Sequence, residues 1–183
     1  MNLKKYFFTI LLIIFGFIFS IIFCEILLRV KHSIIPNYDI EMWKYAKKLK
    51  VQIDNKDIGH IHKKNEKGIF QNIEIKINNF GQRDINYDNQ YLKKFDKRYL
   101  IIGSSIPLGW GVEQNKTFSN LLNKYSLENK KKWIFINGGI GNHNTSRYIN
   151  NYLNNWSDLE FNNIIIMFFV NDAENLQNNK TNF

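Results

Sequence analysis

The chain has 183 residues, 44% of them hydrophobic and 15% aromatic, with no internal repeat and no Pro/Ser-rich tract, a composition that supports a packed core and excludes a disordered or fibrous protein. Its formal charge of +9 comes from lysines spread along the chain, the one dense run being residues 130–132, so a nucleic-acid partner is not expected. The single cysteine, Cys24, excludes intrachain disulfides and cysteine-rich metal sites.

Lys4 and Lys5 precede a run without charge from residue 6 to residue 24, about 19 residues and close to the length a helix needs to cross hydrocarbon. The run lacks the shorter apolar region and small-residue cleavage site of a signal peptide, and Phe23 before Cys24 does not fit a lipidation box. We therefore expect a transmembrane signal anchor over residues 1–31, with the lipid bilayer as partner through residues 6–24. The basic start favours a cytoplasmic amino terminus and an extracytoplasmic soluble part, on the periplasmic or cell-surface side. Residues 32–96 then form a membrane-proximal preamble. Within it, residues 40–49 read as a short helix, and residues 73–77 alternate like a half-exposed strand that ends in an Asn-Phe-Gly turn.

From residue 97 to 183 three continuous apolar runs recur, at 98–102, 133–137 and 163–170, separated by "KTFSNLLNKYSLE" and "TSRYINNYLNNW", whose apolar residues fall at helical spacing. Such alternation indicates βαβ units and a parallel sheet, and ligands gather beyond the carboxyl ends of such strands. Each run ends in a polar or Gly-rich turn: Gly103-Ser104-Ser105, Asn137-Gly138-Gly139 and Asn171-Asp172. A serine at a tight strand-to-loop turn has the exposed hydroxyl an acyl-transfer nucleophile needs. The tetrahedral intermediate needs hydrogen-bond donors for its oxygen, and the N–H groups of Ser105 and Gly139 with the side-chain amide of Asn171 are the candidates. Taken singly each motif reads as an ordinary turn or helix cap; their joint order after three parallel strands is the informative feature.

That order resembles the SGNH (GDSL) hydrolase superfamily, whose blocks supply Ser, Gly, Asn and His. "IIGSSIPLGWGVEQNKTFSNLLNK" resembles the first block and its helix, "NGGIGNHNTSRYI" the second and "FFVNDAENL" the third, while "DIGHIHKKN" and "IKINNFGQRD" resemble stretches that precede the first block in a membrane-anchored branch. The resemblance implies a three-layer α/β/α, flavodoxin-like SGNH fold with a parallel sheet, Ser105 as nucleophile, and Gly139 and Asn171 as oxyanion-hole residues. His143 and Asp172 are taken as substrate contacts. Gly103 would make the nucleophile turn, and Gly109 and Gly111 would shape the loop that follows. The implied activity is hydrolysis of ester bonds, on O-acyl groups of a cell-surface glycan or lipid. The alternatives are an O-acetyltransferase of the same superfamily and a non-catalytic, truncated glycan-binding module; "GIGNHN" is too incomplete a glycine motif for a nucleotide site.

Ser104 stands where the family has Asp, and Phe169 where many members have Gly. The family's later Asp-x-x-His block, which supplies the general base, has no counterpart up to Phe183. The expectation is a product truncated before that block, with an incomplete sheet and little esterase activity of its own. Asp57-x-x-His60 matches the spacing but precedes the nucleophile, and reads as chance. His60 and His62 alternate as strand neighbours without a wider Cys/His cluster, so neither a metal nor a cofactor is expected.

Overall fold

The computed structural model describes residues 3–173. They divide into two compact units, the first ending at Ile40 and the second beginning at Glu41.

The first unit is dominated by helix α1 (Leu3–Ile34). It is apolar all round from Tyr6 to Cys24, and its side chains from Tyr6 to Lys31 are exposed. At a rise of about 1.5 Å per residue it is long and apolar enough to cross a membrane over Tyr6–Ile34. The helix outruns the uncharged stretch because Glu25 and Arg29 pair one turn apart, at 2.8 Å, so the first charges do not break it.

Helix α2 (Tyr38–Leu49) starts where the Asn37 side chain accepts the Ile40 N–H. Its apolar face, Met42, Tyr45 and Leu49, is buried with Phe70, Ile75, Ile77 and Leu108. Two small antiparallel pairs follow. Strand β1 (Lys50–Gln52) pairs with β2 (His60–His62), and β3 (Lys67–Phe70) with β4 (Ile73–Lys76). The second pair is a hairpin closed by Gln71 and Asn72, both at positive φ (48° and 61°), the geometry that matches the twist of the flanking strands. A one-turn helix, α3 (Asn89–Leu92), is capped by Asp88.

The main sheet has three parallel strands in the order β6-β5-β7. Central β5 (Lys97–Gly103) leads to the short α4 (Ser105–Leu108) and then α5 (Phe118–Glu128); β6 (Trp133–Gly139) leads to α6 (Thr145–Asn155), which returns to β7 (Asn163–Met167). Both faces of β5 are covered: Leu100, Ile101 and Ile102 are all buried. Leu100 and Ile102 join Ile134, Ile136, Tyr148 and Trp156 in one core, while Tyr99 stacks on Phe135 with centroids 4.5 Å apart.

The outer edge of β6 is closed by side chains rather than by another strand. Asn123 of α5 bonds both the N–H and the C=O of Phe135 (2.8 Å each), Ser126 lies within hydrogen-bond distance of both backbone groups of Trp133, and the Asp84 carboxylate accepts the Asn137 N–H at 2.9 Å. This is why α5 turns Asn123 and Ser126 toward β6. A sheet edge left dry needs partners, and polar side chains supply them. Its apolar residues Phe118, Leu121 and Tyr125 are correspondingly exposed. Strand β7 is shorter than the apolar run 163–170, ending at Met167, and Val170–Ala173 form a 3-10 turn.

Candidate active site

The parallel register sets the three turns side by side. Gly103 pairs with Gly139 on one flank and with Met167 on the other, so the segments that follow β5, β6 and β7 leave the sheet at the same end. The turn after β5 is tightly built. A Cβ on Gly103 would lie 2.6 Å from the Met167 carbonyl oxygen and 2.8 Å from Pro107 Cγ, so only glycine fits. Ser104 is buried, and Ser105 opens α4 half-exposed. Among the described residues its hydroxyl has no hydrogen-bond partner. Helix α4 ends after one turn because Gly109 adopts a left-handed φ of 76°.

Strand β6 runs two residues beyond its expected end, so Gly138 and Gly139 are strand, not turn. Packing explains why they are glycines: a Cβ on Gly139 would meet Leu108 N of α4 at 2.1 Å, and one on Gly138 would lie 3.0 Å from both the Ile101 carbonyl oxygen and the Trp156 ring. The Gly139 N–H, expected to face an oxyanion, donates to Asn137 Oδ1 at 3.0 Å. The chain reverses further on, at Asn142, which is exposed and left-handed (φ 63°) and whose N–H has no partner among the described residues. The available signal was the tolerance of asparagine for this conformation.

The turn after β7 is closed by Asp172, whose carboxylate accepts the Phe169 N–H at 2.9 Å and whose carbonyl accepts the Thr145 hydroxyl at 2.9 Å. Asp172 is buried and joins this turn to the start of α6. The Asn171 backbone lies in the same turn; its side chain lies outside the described structure. His143 does not face Ser105. It is buried, and its Nε2–H donates to the His60 carbonyl at 2.8 Å.

The preamble grips both loops. Arg83, fully buried, donates from Nη1 to the carbonyls of Leu108 (2.9 Å) and Gly109 (2.6 Å), from Nη2 to that of Val112 (2.7 Å), and from Nε to Gln114 Oε1 (3.1 Å). Burial lowers its pKa to about 10, so it stays charged at neutral pH. Gly141 is held at both ends of its residue: its N–H donates to the Tyr45 hydroxyl (3.2 Å) and its carbonyl accepts from Lys50 Nζ (2.6 Å). Burial brings Lys50 down to about 7 and His60 and His62 to about 3, holds His143 well below the ordinary imidazole range, and raises Tyr45. Asp84 is raised to about 6 by burial against the two N–H bonds it accepts. Of these groups, sequence reading assigned a role only to His143, as a substrate contact; the partners that hold Tyr45, His60 and His143 lie 81 to 96 positions away.

The arrangement thus offers a half-exposed hydroxyl, without a partner among the described residues, in a turn that leaves the sheet beside those after β6 and β7. Among the described residues no imidazole bonds Ser105, and no group of three or more His, Cys, Asp or Glu could hold a metal. Compared with protein-family models, with curated proteins and with solved structures, the chain matches none.

Proposed function

We propose that this chain is a membrane-anchored serine ester hydrolase unit of the SGNH/GDSL type, built on the flavodoxin-like SGNH fold. Its soluble part lies on the extracytoplasmic side, and its substrate carries O-acyl groups on a glycan or lipid. The single observation that supports the reading most is the placement of Ser105, half-exposed and without a hydrogen-bond partner, where the turns after β5, β6 and β7 converge. Ser105 Oγ adds to the ester carbonyl carbon as its proton passes to a base. The N–H groups of Ser105 and Asn142, with the Asn171 amide, stabilise the oxyanion. The bond to the alcohol breaks, the alcohol leaves with a proton, and water then releases the acid from the acyl-serine. A sugar hydroxyl in place of water makes the same first half-reaction an acyl transfer.

The three buried histidines are committed to Gly141, Gly81 and His60, and this reading is tested with added imidazole as the base. Initial rates of p-nitrophenyl acetate hydrolysis, measured with rising imidazole for the wild type and Ser105→Ala, test this. The expected result is a rate difference between the two chains that grows with imidazole. Equal rates throughout reject the reading.

A further inference from the structure

We propose that the preamble is a proton-sensitive clamp: Tyr45, Lys50, His60, His62 and His143 hold the 140–144 turn in place while the imidazoles are neutral, and release it on mild acidification. The inference goes beyond the hydrolase reading and does not depend on it.

The clamp converges on one residue. Tyr45 of α2 accepts the Gly141 N–H, and Lys50 of β1 donates to the Gly141 carbonyl, which also lies 3.2 Å from His60 Nε2 of β2. His143, from the turn itself, donates back to the His60 carbonyl, and its ring meets that of His60 edge to face, with centroids 4.7 Å apart. His62 is fixed between two partners: Nδ1–H donates to the Gly81 carbonyl at 2.9 Å, and Nε2 takes the Tyr45 hydroxyl proton. A Cβ on Gly141 would stand 3.0 Å from the Tyr45 ring, so the contact is close as well as polar.

The charges around this cluster are of one sign. Lys50, Arg83 and Arg147 all act on it, and Lys64 lines the small cavity beside His62. Among the described residues the buried carboxylates are committed elsewhere, Asp84 to the N–H groups of Ile85 and Asn137, Glu41 to Lys44 and the Gln71 N–H, and Asp172 to the Phe169 N–H. A proton on His60 therefore sets a second cation 3.2 Å from the Lys50 amine. A proton on His62 Nε2 removes the acceptor of the Tyr45 hydroxyl and turns Tyr45 away from the geometry in which it receives the Gly141 N–H. Like charge added this close to Lys50, Arg83 and Arg147 in a dry site is relieved by water, and admitting water means parting β1–β2 from the turn. Asn142 follows Gly141 directly, so its exposed N–H moves with the clamp.

The test is amide hydrogen exchange, corrected for the intrinsic effect of pH, on the full chain in lipid nanodiscs at about pH 7.5 and about pH 5.5, values that bracket ordinary imidazole titration. Each histidine kept neutral by the fold biases the open form by about ten-fold per pH unit. Protection in 58–62 and 140–144 is expected to fall at least that much on acidification, while 98–102 in β5 stays better protected than these segments at both pH values. His62→Gln and His143→Gln, which cannot take up the proton, should each reduce the loss. The proposal is overturned if the wild-type turn keeps its protection at the lower pH, or if the turn and 98–102 there share one level of protection, which is plain acid unfolding.

Discussion

Replacing Arg83 by methionine tests whether the preamble organises the loop after Ser105. The substitution keeps most of the side-chain length but withdraws the donors to three backbone carbonyls and Gln114, on distances of 2.6 to 3.1 Å. A buried carbonyl left without a donor costs about 1–3 kcal/mol, and the apolar replacement recovers part of this because a buried guanidinium no longer has to be desolvated. A net loss of about 4 kcal/mol results, a large share of the roughly 5–15 kcal/mol that stabilises an ordinary domain. With a urea dependence of about 2 kcal/mol/M, the midpoint should fall by about 2 M. Tryptophan fluorescence follows it selectively, since α1 contains no tryptophan and Trp110 lies in the affected loop. Arg83→Lys should fall in between, because one ammonium cannot reproduce the planar fork. A midpoint shift under about 0.5 M for Arg83→Met, or a lysine variant equal to wild type, would refute the reasoning.

Acidification should destabilise the soluble unit measurably. His60 and His62 titrate near 3 in the folded chain and His143 well below its usual value, so below about pH 6.5 the unfolded chain binds protons that the folded one refuses. Each contributes a loss of about 1.4 kcal/mol by pH 5.5 and the three together about 4 kcal/mol, whereas Lys50, protonated in both states below about 7, adds nothing there. Urea midpoints at the two pH values read this directly, and a flat profile contradicts it. Gly139→Ala should cost about 3 kcal/mol, since its Cβ would strike the Leu108 backbone nitrogen, while the same change at Gly16, with nothing within 4 Å, should leave the midpoint unmoved. Ser105→Ala should leave stability unchanged within about 0.5 kcal/mol and abolish the imidazole-dependent hydrolysis; a destabilised variant would mean that the hydroxyl has a structural role.

The parallel sheet was legible because strands covered on both faces read as continuous apolar runs, and Leu100 to Ile102 are such a run. The glycines misled in one place. Gly138 and Gly139 carry a turn signal, yet they extend β6, because glycine there answers to close packing, of Trp156 and β5 on Gly138 and of α4 on Gly139, and not to chain reversal. Periodicity alone would send the apolar side of α5 into the core. The dry edge of β6 instead draws in Asn123 and Ser126, a demand set by backbone groups that local sequence does not reveal. The β1–β2 pair and its buried lysine and histidines were opaque for a related reason. Burying Lys50 makes sense only beside the Gly141 carbonyl, 91 positions away, and no local pattern announces a partner that distant.

The central claim is that Ser105 is a nucleophile held at the junction of three turns. Its most direct test is covalent capture: the full chain is incubated with a fluorophosphonate in the presence of imidazole, digested, and mapped by peptide mass. The account predicts phosphonylation of the peptide that contains Ser105, absent in Ser105→Ala. Labelling that is missing from Ser105, or that persists undiminished in Ser105→Ala, would contradict it.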